Sequence, residues 1–312
     1  MITRRNFLGT MAAGALIPSL VACARSAEAA VAPPFRLRQV LSSALYGEMP
    51  LDVILPEIAK TKSECIDIWC RVHGNQREQI TAMGDEAFVA LLTKHGARVG
   101  VSTRYPSGPF GLQDEMTWMK RFGGGVIVTG TKGPKEPQGA EAKAAVEKFL
   151  EEMKPHLAKA EECGVTIAVE NHSSQMLCHP DALRYFAELN RSPRLGIAFA
   201  PHHLHRWADQ IPTFIRELGA RNLPFMYFQE HSESIYKKSA KEIELQQLPG
   251  FGGGLDYRPI VTALRDIKFT GLAEIFMHPT PRGIPILPTV GEITAAINRS
   301  RAYVDACLET AR

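Results

Sequence analysis

The sequence lacks several features that would indicate other classes of protein. No run of basic residues stands out, and the formal net charge is only +3, so nucleic acid is not an expected partner. Outside the N-terminus, no apolar run is long enough to span a bilayer. No GxGxxG motif follows the first predicted strand, which argues against a sheet that binds a dinucleotide.

Cysteine is scarce and shows no pairing pattern. Of the six cysteines, Cys23 lies in the N-terminal segment, and the other five include no CxxC pair. These five are Cys65, Cys70, Cys163, Cys178 and Cys307. An odd number without close spacing predicts free thiols. With 45% hydrophobic and 22% charged residues over 312 positions, the chain has enough apolar material for one large domain.

The N-terminal segment is predicted to be an export signal and leader. Arg4 and Arg5 precede an apolar stretch, an order that resembles a twin-arginine signal, although an ordinary secretory signal is the alternative. Leu20-Val21-Ala22-Cys23 resembles a lipobox with Cys23 lipidated, whereas Ala27-Glu28-Ala29 resembles an ordinary cleavage site. We therefore assign residues 1–29 to the leader. We expect export to the periplasm or cell envelope, with a lipid anchor as the only membrane attachment.

From about residue 37 onward, a short apolar run, a polar turn and an amphipathic stretch alternate eight times. This alternation predicts a parallel sheet with helices between its strands, and eight units are the number that closes a barrel. We therefore predict an α/β fold, a (β/α)8 TIM barrel forming a single domain over residues 37–312. The predicted strands are Gln39–Leu45, Cys65–Cys70, Arg98–Thr103, Gly125–Thr129, Val165–Glu170, Leu195–Ala200, Pro224–Gln229 and Gly271–Phe276.

Two long helices are predicted with recognisable ends. The stretch Glu141–Cys163 carries a helical stripe of apolar residues and is followed by Gly164, a typical C-cap. Pro155 within this stretch is expected to kink or divide the helix. The last helix is predicted from Gly291 to about Leu308.

Histidines and carboxylates concentrate where strands five to eight are predicted to end. Seven of the ten histidines lie between His172 and His278, and six of those seven follow these strands. In a barrel, residues at this end form the active site. Converging carboxylates and imidazoles can hold a divalent cation, with oxygen ligands suiting Mg²⁺ or Mn²⁺ and imidazole suiting Zn²⁺ or Co²⁺. We therefore predict a bound divalent metal ion (Mn, Mg, Co or Zn).

The order Glu170, His203, Gln229 and Glu274 resembles the xylose isomerase-like TIM barrels, which include sugar isomerases and sugar 3-epimerases. The segment Leu248-Pro249-Gly250 and the glycine-rich residues after it are also similar to that family. The resemblance implies that Glu170 and Glu274 are metal ligands, and we expect His203 and Gln229 to complete a rearranged site; a site that binds metal weakly is the alternative.

The chain departs from the family at two of the four implied ligand positions. The family's Asp falls on Ala200, which cannot ligate a metal. The family's strand-seven His falls on Gln229 or, with a shift, on His231. On an extended segment, His203 and His205 would share one face and His202 would point away, which makes His202 the weaker candidate.

The resemblance also implies a reaction, namely proton transfer next to a carbonyl in a sugar or keto-sugar. Glu170 and Glu274 are implied to be the catalytic acid/base pair of this isomerase or epimerase. Arg282 could contact substrate or anchor its own loop through carbonyl groups. The predicted substrate-binding residues are His172, His205, His231, His278 and Arg282.

Several alternatives stay open from the sequence alone. The same proton abstraction serves a lyase or dehydratase that eliminates a β-leaving group from a keto-sugar or glycoside. A non-catalytic carbohydrate-binding lipoprotein is a second alternative, which the absence of the family's Asp at Ala200 favours. A metal-dependent hydrolase or nuclease would need further ligands, for which His73 and His95 are scattered candidates. The stretch from His231 to Leu248 is long for a loop, and could cover the barrel mouth or contact a second copy or partner subunit.

Overall fold

Eight parallel strands close into one barrel in the computed structural model, which describes residues 35–310. Each strand pairs with the next along the chain, and the eighth pairs with the first, so the predicted (β/α)8 TIM barrel is confirmed. The strands are β1 (Arg38–Ser42), β2 (Cys65–Trp69), β3 (Val99–Thr103), β4 (Val126–Thr129), β5 (Thr166–Glu170), β6 (Leu195–Phe199), β7 (Phe225–Phe228) and β8 (Leu272–Ile275).

Helices cover the outside of the barrel and fill several of its loops. The α-helices are α1 (Leu51–Ile54), α2 (Glu57–Lys60), α3 (Gln76–Met83), α4 (Asp85–His95), α5 (Gln113–Phe122), α6 (Gly139–Cys163), α7 (Pro180–Leu189), α8 (Ile211–Asn222), α9 (Lys241–Glu244), α10 (Tyr257–Asp266) and α11 (Val290–Thr310). Short 3₁₀ helices span Ser43–Tyr46, Tyr105–Ser107, Pro201–Gln210, Glu233–Ile235 and Leu245–Gln247. Within residues 35–310, no helix combines the length and apolar character needed to cross a membrane.

Seven of the eight strands fall inside their predicted ranges, and β1 is the exception. It begins one residue before the predicted Gln39 and ends at Ser42, after which the chain turns into a 3₁₀ helix. The hydroxyl oxygen of Ser43 accepts a hydrogen bond from the backbone N–H of Trp69 at 3.0 Å. The predicted extension to Leu45 is therefore wrong, because Ser43 is held against the end of β2 instead of continuing the strand.

Helix α6 continues through Pro155, so of the two predicted effects of this proline, division of the helix is wrong. Pro155 is exposed, while Val146, Phe149 and Met153 are buried on the face of the helix that packs against the barrel. The hydrogen bond that proline removes is therefore lost on the solvent side, and packing on the other side keeps the helix continuous. Gly164 caps the helix in the left-handed conformation, with φ at 72°, as predicted.

The strand ends bring polar side chains to the C-terminal rim and into the barrel. Glu170 is the last residue of β5 and pairs in register with Ala198 of β6. Glu274 of β8 pairs with Tyr227 on one side and with Val40 on the other. The predicted leader at 1–29, its twin arginine, Cys23 and both processing sites lie outside the described residues.

Candidate metal centre at the barrel mouth

Glu170 is a buried carboxylate at the centre of the C-terminal rim. Its side chain accepts a hydrogen bond from the Tyr105 hydroxyl, with 2.5 Å between the oxygens. Nε2 of His203 lies 3.7 Å from the other carboxylate oxygen. Burial raises the pKa of Glu170, while His172 and the Tyr105 hydrogen bond act in the opposite direction. Proton affinity at this position is therefore set by a small number of neighbouring groups.

The segment after β6 places two histidines beside Glu170. Pro201–Gln210 is 3₁₀-helical rather than extended, and both His202 and His203 are buried within it. One ligand-capable atom from each of Glu170, His202 and His203 lies within 4.8 Å of the other two. The prediction that His202 points away from His203 is therefore wrong, because it assumed an extended chain.

The free atoms of these histidines fit a metal ion. Among the described residues, both ring nitrogens of His202 and Nε2 of His203 are buried without a hydrogen-bond partner. Burial lowers the pKa of both imidazoles well below 6.5, which keeps them neutral. Neutral imidazole is the form that ligates a metal, so the donor set fits a divalent cation.

The two histidines belong to a larger group of imidazole rings at the mouth. The ring centroid of His203 lies 3.9 Å from that of His172 and 3.9 Å from that of His202. His278 lies 5.9 Å from His202 and 5.1 Å from His73. Burial is the main cause that lowers the pKa of His73 to about 4. His73 had appeared only as a scattered candidate, since it follows β2, whose end carries no other histidine.

Gln229 is part of a hydrogen-bond network with Gln247 and His278. Its amide nitrogen donates to Oε1 of Gln247 at 2.9 Å and lies 2.9 Å from Nδ1 of His278. Gln247 also donates to the carbonyl of His278 and accepts from its backbone N–H. The carboxamide oxygen of Gln229 is buried without a partner in residues 35–310. Gln247 thus fixes both Gln229 and the start of the loop after β8.

Glu274 is fully buried in the barrel interior and is not part of the group formed by Glu170, His202 and His203. It lies against Asp67 of β2, whose other oxygen accepts from the Thr103 hydroxyl at 2.6 Å. Burial raises the pKa of Glu274 well above its usual value and that of Asp67 to about 7. The pair therefore holds a proton more tightly than two isolated carboxyl groups would. Burial raises the pKa of Tyr227, and the charges of both Glu170 and Glu274 act in the same direction. Tyr227 therefore lies close enough to interact with both carboxyl groups.

His205 and His231 form a stacked pair at one side of the mouth. Their ring centroids are 3.6 Å apart with 14° between the planes. They line a cavity of about 540 Å³ together with Asp209, Glu230 and Asp256, and no Lys or Arg lines it. Asp256 forms an ion pair with Arg258, whereas no Lys or Arg pairs with Asp209 or Glu230 among the described residues, so hydroxyl groups of an uncharged ligand could donate to these two carboxylates.

Arg282 anchors the loops above the mouth. Its guanidinium donates to the carbonyl of Pro279 at 2.9 Å and to that of Ile235 at 2.8 Å. The second hydrogen bond ties the loop after β8 to the long segment after β7. Of the two roles considered for Arg282, this geometry corresponds to loop anchoring.

Two site residues, Asp67 and Tyr105, were missed by sequence reasoning. Asp67 carried a signal, because a lone carboxylate within the apolar run Cys65–Trp69 has to face the barrel interior. Tyr105 left little signal in the sequence, since an aromatic residue just after a strand is common in any barrel.

A model of the family described as xylose isomerase-like TIM barrel matches residues 57–297. The chain belongs to this family. The match covers strands β2 to β8, including all the residues grouped around Glu170. A search of curated proteins found no match.

Solved structures with the xylose isomerase-like fold are similar across almost their whole length. The IOLI protein with a bound zinc atom has a TM-score of 0.65 and 15% identity, covering 88% of this chain and 99% of that one. D-psicose 3-epimerase with D-tagatose from Clostridium cellulolyticum H10 has a TM-score of 0.63 and 15% identity, covering 87% and 99%. L-ribulose 3-epimerase has a TM-score of 0.62 and 13% identity, covering 89% and 96%. Identity this low supports the fold alone.

Proposed function

We propose that the protein is a divalent-metal-dependent isomerase or epimerase that transfers a proton next to the carbonyl of a sugar or keto-sugar. The observation that carries the proposal is the buried group of Glu170, His202 and His203 at the C-terminal rim. The solved structures similar to this chain include sugar 3-epimerases, which supports the same reaction class. A rim of this kind is where barrel enzymes place their chemistry.

Glu170, His202 and His203 would hold the metal ion. A bound divalent cation polarises a substrate carbonyl and acidifies the neighbouring C–H bond. Two neutral imidazoles and one carboxylate favour Zn²⁺ or Co²⁺ over Mg²⁺ or Mn²⁺, because the last two prefer oxygen ligands. The zinc atom of the similar IOLI protein agrees with this preference.

Glu170 and Glu274 are proposed as the two acid/base groups. Glu170 would accept a proton, with its carboxylate oriented by the Tyr105 hydroxyl. Glu274 would supply one, because its contact with Asp67 and its burial favour the protonated form. A carboxyl group whose pKa is raised by burial is suited to act as a general acid.

The substrate is proposed to be an uncharged sugar rather than a sugar phosphate. The cavity that His205 and His231 line contains Asp209, Glu230 and Asp256 in its wall and no cationic side chain. A phosphate ester would find no cationic side chain to pair with there, while sugar hydroxyl groups could donate to the carboxylates. His172 and His278 lie near enough to the metal group to contact the reacting end.

Metal analysis of the purified protein tests the ligand assignment. We expect about one Zn²⁺ or Co²⁺ per chain in wild type and a large loss in Glu170→Gln and His203→Gln. Glu233→Gln is a matched control, because Glu233 is exposed on the loop after β7. Equal metal content in wild type and both site variants would refute the assignment.

Proton transfer is tested separately, by incubating the metal-loaded protein with a panel of keto-sugars in D₂O. We expect deuterium at the carbon next to the carbonyl, and none with Glu170→Gln. A panel without any exchange would contradict the proposed reaction and would favour a carbohydrate-binding role.

Elimination is the second candidate reaction, and the cavity that His205 and His231 line favours it. A volume of about 540 Å³ can hold a whole second group, such as the leaving group of a glycoside. The same exchange experiment separates the two reactions, because a lyase releases two products whereas an isomerase returns one of unchanged mass.

We also propose export by the twin-arginine route, with a lipid anchor on Cys23, on the basis of the N-terminal sequence. Cell fractionation tests this proposal. Replacing Arg4 and Arg5 by Lys should retain the protein in the cytoplasm. Cys23→Ser should move it from the membrane fraction to the soluble periplasmic fraction.

A further inference from the structure

A second cavity lies at the opposite, N-terminal end of the barrel. Its volume is about 380 Å³, and it is lined by residues that precede or begin the strands. Arg38 begins β1, Arg98 directly precedes β3, and Gly271 directly precedes β8. This cavity is separate from the metal group, which lies at the C-terminal ends of the same strands.

The charged side chains that line this cavity are all arginines. They are Arg38, Arg98 and Arg221, and no carboxylate is among the lining residues. The hydroxyl groups of Thr166 and Thr270 supply further polar atoms. The lining thus combines positive charge with uncharged donors, which is the reverse of the acidic cavity at the barrel mouth.

The positive charge of the three arginines is only partly neutralised. Arg38 and Arg98 share a single carboxylate, that of Glu64, at 2.9 Å and 3.4 Å. Arg221 donates to the backbone carbonyl of Asn190 and has no carboxylate partner within residues 35–310. Three guanidinium groups therefore face one carboxylate, which leaves a net charge of two around the cavity. Uncompensated charge of one sign in a recess attracts a counter-ion of the other sign.

We propose that this cavity is a binding site for a phosphate-type oxyanion. Guanidinium groups present planar pairs of N–H donors that match the oxygens of phosphate, and such charge-assisted bonds are stronger than neutral ones. The anion could be free phosphate or the phosphate of a lipid headgroup. The second source is considered because a lipid anchor on Cys23 is proposed above from the N-terminal sequence.

Calorimetric titration of the full-length chain with inorganic phosphate at low ionic strength tests the site. We expect saturable binding in wild type and at least tenfold weaker binding in Arg98→Gln and in Arg221→Gln, because each loses a charge-assisted donor. Arg184→Gln is the matched control, since Arg184 pairs with Glu217 on the outer surface. Unchanged thermal unfolding verifies that the variants fold.

The source of the anion is tested by cosedimentation of the same proteins with phosphatidylcholine vesicles, with and without phosphatidylglycerol. Binding to the anionic vesicles that Arg98→Gln weakens indicates a lipid headgroup, and phosphate binding without vesicle binding indicates a free oxyanion. Absence of saturable phosphate binding by wild type, or equal binding by wild type and both site variants, overturns the proposal.

Discussion

Glu230→Gln is predicted to change how stability depends on pH. Glu230 is only 2% exposed, and its carboxylate accepts the backbone N–H of Leu255 at 3.0 Å. Burial is the main cause that raises the pKa of Glu230 from 4.5 to about 7. The folded protein therefore holds this proton more tightly than the unfolded chain does. Stability conferred by the protonated group is complete below about pH 4.5 and is lost as the pH rises to about 7.

The size of this loss follows from the pKa. A change in pKa from 4.5 to about 7 corresponds to roughly 3 kcal/mol for a fully shielded group. Glu230 also lines two cavities, so partial solvation reduces our expectation to about 2 kcal/mol. Glutamine keeps an acceptor for the Leu255 N–H and carries no titrating charge. The variant should therefore match wild type near pH 4.5 and exceed its unfolding free energy by about 2 kcal/mol at pH 8.

Urea unfolding at a series of pH values measures this difference. The quantity compared is the free energy of unfolding of the variant minus that of wild type. This difference isolates Glu230, because the other groups titrate equally in both proteins. Glu233→Gln, which removes an exposed carboxylate three residues away, should show no trend. A difference for Glu230→Gln that stays constant from pH 4.5 to pH 8 would show that the buried carboxyl is not protonated in the folded state.

Three further outcomes are expected. Ala208→Trp fills the cavity that His205 and His231 line, so kcat/KM for a glycoside should fall at least tenfold relative to kcat/KM for a monosaccharide. The control is Ala306→Trp, which changes the neighbouring cavity. Tyr105→Phe removes the hydrogen bond that lowers the pKa of Glu170, so the acidic limb of the kcat/KM profile should move to higher pH. Arg282→Ala removes both carbonyl contacts of the mouth loops, so limited proteolysis after β7 should become faster at unchanged overall stability.

The barrel itself could be predicted from the sequence because parallel strands covered on both faces leave a strong signal. Continuous apolar runs such as Val165–Glu170 and Leu195–Ala200 marked the strands to within a residue. Their polar ends then identified Glu170 and the histidines after β6. Strand β1 ended early because Ser43 contacts β2, and a contact between distant segments leaves no local pattern.

The detailed arrangement of the site depended on conformations that the sequence did not determine. Alternation along an extended strand separated His202 from His203, but Pro201 begins a 3₁₀ helix in which both are buried. A proline at the first helical position is a recognised sign of a helix start, so this feature was open to prediction. The contact between Asp67 and Glu274 was not, because β2 and β8 come close only when the barrel has closed.

Ala200 and the two histidines after it are explained by one local structure. The side chain of Asn171 accepts the backbone N–H of Ala200 at 2.7 Å and donates to its carbonyl at 3.0 Å. This pair of hydrogen bonds fixes the chain at the point where β6 turns into the 3₁₀ helix, and so directs His202 and His203 toward Glu170. A carboxylate at position 200 would add negative charge beside Glu170, whereas two neutral imidazoles add ligands without charge. In the proposed metal site, Ala200 in place of Asp would therefore change which metal ion is favoured, while Glu170, His202 and His203 would remain as ligands.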